Sequence, residues 1–186
     1  MQFLTTLLMA TSAMALPTVT LTSRADSESC MARGAKATSW TVNDFVYEAV
    51  YTHSTPKKQT SSATVSFTLS NPVLDYKANC KAKSTKASDF FYGTTDYDCD
   101  VPLDHDSATF SYNRKTGNIA IFQHWSCVQE GGWFEAKGNT TVKPDCKEKN
   151  WKNPNYKSGA KVYSNRRVTC EKKSFKVPVL EISAVL

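Results

Sequence analysis

The sequence predicts an all-β fold, a single antiparallel β-barrel or sandwich of about seven to nine strands held by disulfides, and three observations predict it. Apolar and polar residues alternate with a period of two in one segment after another. Clusters of Asn, Gly and Pro separate those segments at short intervals. No segment carries an uncontested amphipathic-helix pattern. At 186 residues the chain is one ordinary domain, and 40% apolar with 11% aromatic residues supplies one core rather than two. The net charge of +6 favours anionic partners without naming one.

Residues 1–15 read as a secretion signal. Phe3 to Met14 is an uncharged apolar run too short to cross a bilayer, and Ala13-Met14-Ala15 has the small-x-small pattern that signal peptidase accepts. Residues 16–29, rich in Thr and Ser and without periodicity, read as a flexible leader, so the domain occupies 30–186. Trp40 to Tyr51 fits a helical stripe through Val42, Phe45, Val46 and Val50. Its Val and Tyr content, with alternating Phe45, Tyr47, Ala49 and Tyr51, favours a long strand with a bulge. Ala63, Val65, Phe67 and Leu69 then alternate with hydroxyl residues, Asn71-Pro72 breaks the run, and Leu74, Tyr76, Ala78 and Cys80 return as the second strand of a hairpin. Ala108, Phe110 and Tyr112 lead through the turn Arg114 to Asn118 into the β-branched and aromatic run Ile119 to Cys127. Gly131-Gly132 turns the chain into Trp133 to Thr141. Residues 143–161, with two Pro, a Gly and many Asn and Lys, read as a long basic surface loop. Phe175 to Val185 alternates again, and Pro178 suggests an edge position. No later stretch reaches the ~20 apolar residues of a membrane helix, so a mature chain without a membrane span is expected.

Six cysteines, Cys30, Cys80, Cys99, Cys127, Cys146 and Cys170, are widely spaced and form no C-x-x-C pair, which favours three disulfides over a zinc site. Spacing alone leaves all fifteen connectivities open. Asn139-Thr140-Thr141 is an N-glycosylation sequon. The chain carries no G-x-S-x-G, H-E-x-x-H, P-loop or G-x-G-x-x-G pattern. Among the histidines His53, His105 and His124, only His124 sits in a strand that the Gly131-Gly132 turn brings towards an acid, Glu135. Such a pair, with Arg166 or Arg167 on a phosphate, would suit phosphodiester cleavage, but one register step moves Glu135 to the other face. Asp104-His105-Asp106 reads as polar loop rather than a cation site. No catalytic residue, metal ligand or cofactor is therefore assigned.

The basic residues are more informative. Lys149, Trp151, Lys152, Tyr156, Arg166 and Arg167 combine cations with aromatic rings, a mixture that suits contact with an anionic partner. For a secreted chain that partner is a pectic polymer, a membrane surface or an acidic protein rather than nucleic acid. The competing view is a solvated Lys-rich loop with its aromatics folded back on the barrel.

From Trp40-Thr41-Val42-Asn43-Asp44-Phe45 onward the sequence resembles the Alternaria major allergen family of fungal secreted proteins. The order of later features is similar too: Ser66-Phe67, Leu74-Asp75-Tyr76 leading to Cys80, a loop to Cys99, Phe110-Ser111-Tyr112, and the late pair Cys146 and Cys170. The resemblance runs from Cys30 to Ile182. It implies a β-barrel with bridges Cys80 to Cys99 and Cys146 to Cys170. It also implies a non-enzymatic effector, elicitor or allergen, secreted into the host apoplast, where it modulates plant immunity. Thaumatin-like pathogenesis-related proteins are the implied host partners, and flavonoid-type phenolics the implied small ligands. Two features depart from the family pattern. Cys127 can satisfy Cys30 within one chain, where the family's N-terminal cysteine is associated with a covalent dimer, so a monomer is expected here. The Lys-rich stretch Lys147 to Arg167 has no clear counterpart. The alternatives to this reading are a small secreted ribonuclease or other hydrolase, and a cell-wall carbohydrate-binding module.

Overall fold

The computed structural model describes residues 28–85, 90–157 and 159–185; the signal segment and most of the leader lie outside them. A short helix, α1 (Cys30–Gly34), precedes eleven strands: β1 (Ser39–Thr55), β2 (Lys58–Ser70), β3 (Lys77–Ser84), β4 (Tyr97–Asp100), β5 (Ser107–Tyr112), β6 (Asn118–Cys127), β7 (Gly132–Thr141), β8 (Cys146–Lys152), β9 (Ser164–Cys170), β10 (Lys173–Pro178) and β11 (Glu181–Val185). They form one antiparallel sheet in the order β11-β7-β6-β5-β4-β3-β2-β1-β9-β8, with β10 also beside β1. The ladder is not closed into a ring. Instead the C-terminal segment steps from one half to the other between β10 on β1 and β11 on β7. Val179 N–H donates to the Thr38 carbonyl at 2.9 Å and Leu180 N–H to the Lys137 carbonyl at 2.8 Å. Gly138 admits this crossing, because a Cβ there would lie 2.0 Å from the Pro178 carbonyl oxygen.

Strand β1 organises the core. Trp40 and Val42, at even positions, are fully buried, and so are Phe45, Tyr47 and Ala49 at odd positions. A regular strand cannot send both sets inward, because successive side chains alternate faces. A bulge resolves the conflict. Between Asn43 and Val46 the strand takes three steps against two in β2, and between Val42 and Phe45 three against two in β10. Asp44 absorbs the extra residue with φ 53°, a left-handed conformation that Asp tolerates better than β-branched residues. Beyond the bulge, aromatic edges interlock across the core: Phe45 meets Tyr112 with centroids 5.3 Å apart, and Phe67 meets Phe110 at 4.8 Å. One amide ties the two halves together. Buried Gln123 on β6 accepts from Trp40 Nε1 on β1 at 2.8 Å and from Asn71 Nδ2, beyond β2, at 2.9 Å.

The expected hairpin is present, with Phe67 opposite Cys80, although Leu74 and Tyr76 belong to the turn and β3 begins at Lys77. Strands β4 and β9 lie where the sequence reading placed none, so the strands number eleven among the described residues rather than seven to nine, and three other elements differ from that reading. Helix α1 forms because Ser29 Oγ and the Glu130 carboxylate cap it: Glu130 accepts from the Cys30 N–H at 2.7 Å and the Met31 N–H at 3.1 Å. Desolvation opposes ionisation of Glu130, but the backbone donors of Met31 and Cys30 together with Ser29 and the charge of Arg33 outweigh it and hold its carboxyl below the ordinary range. The Phe175 to Val185 stretch is two strands, β10 and β11, because it changes partner at Val179-Leu180. Within the expected loop 143–161, Cys146 to Lys152 is the edge strand β8. All seven of its residues are exposed, so it lacks the alternation that marks a half-buried strand. Disulfides join Cys30 to Cys127, Cys80 to Cys99 and Cys146 to Cys170.

Two predictions follow from these constraints. Asp44→Gly keeps or raises stability, whereas Asp44→Ile lowers it by about 1–2 kcal/mol in urea unfolding, because a β-branched residue resists the left-handed conformation. With all six cysteines paired internally, the protein migrates as a monomer without reductant. The Cys30→Ser/Cys127→Ser variant, which opens a 97-residue separation, loses up to ~4.7 kcal/mol by the loop-entropy argument.

Candidate functional site

After the bulge β1 exchanges β10 for β9 as its neighbour, the pairing resuming at Glu48 opposite Thr169. The outer parts of β1 and β2 then join β9 and β8 in a four-stranded arm that extends past the core. Its strands pair in register, so each row of side chains reads directly across it.

The inner face is internally satisfied. Arg166 stacks over the Tyr51 ring, 4.7 Å from its centroid, and its Nε lies 2.9 Å from Glu148 Oε1. Asn150 Nδ2 donates to the same oxygen at 3.0 Å. The Asn150 hydrogen bond and then Arg166 hold the Glu148 carboxyl below its ordinary range despite some desolvation. Lys152 lies over the Tyr163 ring at 5.2 Å. Tyr156 packs edge-on against Tyr163 and donates its hydroxyl to the Ser54 carbonyl. Lys152, Tyr156 and Arg166, three of the six residues expected in one binding patch, therefore hold the arm together.

The outer face is different. Lys147, Lys149 and Trp151 alternate along β8, opposite Thr169, Arg167 and Asn165 of β9. Lys147 pairs with Glu171 at 2.8 Å; that contact raises the lysine above its ordinary value and lowers the glutamate. The next row runs Lys149, Arg167, Val50, Ser62, with no acid in it. Two cations stand directly opposite each other, and among the described residues neither has an ion-pair partner. Trp151 follows on the same face, 53% exposed. Lys149, Trp151, Asn165 and Arg167 together border an open depression of 570 Å³. The pattern in β8 signalled this face only through its charge; its pairing with β9, which separates Lys149 and Arg167 from Lys152 and Arg166, has no periodic signal.

The second arrangement lies on β6 and β7. Their register sets His124 opposite Glu135, so both share the outer face, with Nδ1 3.8 Å from Oε1. Trp133 packs on the imidazole at 5.3 Å, and Nε2 is 3.4 Å from Ser126 Oγ. That hydroxyl donates to the His105 carbonyl at 3.1 Å, and the Ser126 N–H donates to Asp106 Oδ1 at 2.8 Å. Asp106 also accepts from the Tyr76 hydroxyl; burial, and then this carboxylate, push the phenol well above its ordinary value. Arg166 and Arg167, the phosphate ligands that a nuclease reading needs, are on β9 in the other half of the sheet. His53 faces β9 across from Ser164. Asn139 is exposed on β7.

The family model Alternaria alternata allergen 1 matches residues 42–170, from the second buried residue of β1 to the last cysteine. No curated protein and no solved structure matches the chain.

The unpaired cations carry a stability prediction. Like charges directly opposite in a sheet are destabilising, and opposite charges contribute roughly 0.2–1 kcal/mol. Lys149→Glu therefore raises the melting temperature at low salt, and the gain disappears near 1 M salt. A fall in melting temperature at both ionic strengths contradicts the assignment of these two side chains to one face.

Proposed function

Because the chain belongs to the Alternaria alternata allergen 1 family, we propose that it is a secreted, non-enzymatic effector or elicitor that binds an acidic host protein in the apoplast and thereby modulates plant immunity. The observation that carries this reading is the outer face of β8 and β9, where Lys149 and Arg167 face each other with no carboxylate in their row, the neighbouring Glu171 being paired to Lys147, beside an exposed Trp151. An acidic side chain from a partner relieves that repulsion, and the indole supplies the buried aromatic anchor typical of interface hot spots. A thaumatin-like pathogenesis-related protein is the partner class proposed, and the same indole offers a stacking surface to a flavonoid-type phenolic. The uncharged apolar segment Phe3 to Met14, the small-x-small site after it and three disulfides support secretion.

A titration against an acidic thaumatin-like protein tests the reading. Affinity falls between 0.1 and 1 M salt, as the Debye length shortens from ~10 to ~3 Å. Lys149→Ser/Arg167→Ser weakens binding about tenfold, or ~1.4 kcal/mol, and flattens the salt dependence. Lys152→Ser/Arg166→Ser lowers the melting temperature but leaves affinity unchanged, and His124→Ala alters neither binding nor elicitor activity in leaf tissue. The closeness of His124 and Glu135 favours a hydrolase as the second reading. RNA cleavage by the purified protein that disappears in His124→Ala, with affinity for the acidic protein absent, selects that reading instead.

A further inference from the structure

A groove of 390 Å³ opens on β5, β6 and β7 beside the start of β11, and its size falls within the usual range for small-ligand sites, about 300–1,000 Å³. Phe122 and Leu180 form its apolar side, Lys137, Asp96 and Glu181 its polar side, and Asn139 borders it. Leu180 is 61% exposed and lines the groove together with Phe122, so the two make one accessible apolar surface. Lys137 Nζ lies 5.7 Å from the centre of the Phe122 ring. Asn139 is the first residue of the sequon Asn139-Thr140-Thr141. The residue opposite it on β6 is Ala120, whose small side chain does not cover the carboxamide; Asn118 Nδ2 donates to Asn139 Oδ1 at 3.4 Å, which leaves Nδ2, the atom that would carry a sugar, on the exposed side, and the pairing of β11 with β7 ends at Lys137. The amide therefore stands at the rim of a groove that is apolar on one side and lined with charged groups on the other.

We propose that Asn139 carries an N-linked oligosaccharide whose core sugars pack into this groove beside Phe122 and Leu180. A β-linked N-acetylglucosamine has an apolar C–H face, a methyl group and a rim of hydroxyls; these match the ring, the leucine and the Lys137, Asp96 and Glu181 groups respectively. In the attachment step Asn139 Nδ2 forms a bond to C1 of an oligosaccharide carried on a lipid pyrophosphate. The C1–O bond breaks, the lipid pyrophosphate departs with the bonding pair, and the amide gives up one proton to base. The transfer acts on the unfolded chain, so the folded requirement is only that the linked sugar has a place to lie, and the groove provides it. The glycan then covers the exposed Leu180 and leaves the β8–β9 face open, on a different part of the sheet. This inference rests on the secretion proposed above.

The test is expression of the full chain in a secreting eukaryotic cell, in parallel with the full chain behind a host leader, so that failure of the chain's own signal and failure of glycan attachment are read separately. Intact mass and peptide mapping before and after peptide N-glycosidase treatment should locate a glycan at Asn139, absent from Asn139→Gln and Thr141→Ala. Release by the glycosidase from the native protein should be at least tenfold slower than from the denatured protein. Leu180→Ser and Phe122→Ser, with circular dichroism unchanged, should remove that protection. An unoccupied Asn139 in chain recovered from the medium behind the host leader overturns the proposal. So does an occupied Asn139 with equal native and denatured release rates, which places the sugar in solvent. Dimerisation through Leu180 with such equal rates assigns the groove to a second copy instead.

Discussion

At Asn43 and Asp44 strand β1 holds one residue more than either neighbour, and the left-handed backbone of Asp44 accommodates it. The consequences run through the whole sheet. The bulge changes which parity faces inward, so Trp40 and Val42 on one side and Phe45, Tyr47 and Ala49 on the other can all enter the core. It also coincides with the exchange of β10 for β9 along the edge of β1. Strand β10 is thereby free to lead into β11 and reach β7, and β9 can recruit β8. Core packing, the crossing at Gly138 and the basic arm all depend on that one irregular step.

The arm has two faces of opposite character. On the inner face every cation has a ring or a carboxylate: Arg166 has Tyr51 and Glu148, and Lys152 has Tyr163. Exposed pairs of this kind contribute little each, but together they cover a sheet that the core does not reach. The outer face contains the Lys149 and Arg167 row without an acid, an arrangement that costs stability unless a partner supplies the missing charge. A surface that is less stable alone than it needs to be is a recurrent sign of a binding function. Edge position adds to this, since among the described residues β8 pairs with β9 alone.

Much of this was legible in the residues, and the parts that were not share a cause. Strands with one buried face declare themselves by alternation, as Ala63 to Leu69 and Ile119 to Cys127 do, and the change of parity between Val42 and Phe45 announces the bulge. The β8 strand has no buried face and the period-two signal is absent, so its Lys and Asn content reads as loop. Cation placement followed the same rule. Charge shows that Lys149, Lys152, Arg166 and Arg167 are near one another; only the β8–β9 register shows that they divide between two faces. For His124 and Glu135 the uncertainty was one register step, and the β6–β7 ladder supplies it. Helix α1 depends on Glu130, a hundred residues away, which no local pattern reveals.

Backbone hydrogen exchange of the protein alone and mixed with the acidic thaumatin-like protein proposed as its partner is the sharpest test, because it locates a contact without presuming which side chains make it. Contact through the basic arm slows exchange over Cys146–Lys152 and Ser164–Cys170 and leaves β5, β6 and β7 unchanged. Slowed exchange confined to β6 and β7 around His124 and Trp133, with β8 and β9 unaffected, would contradict it.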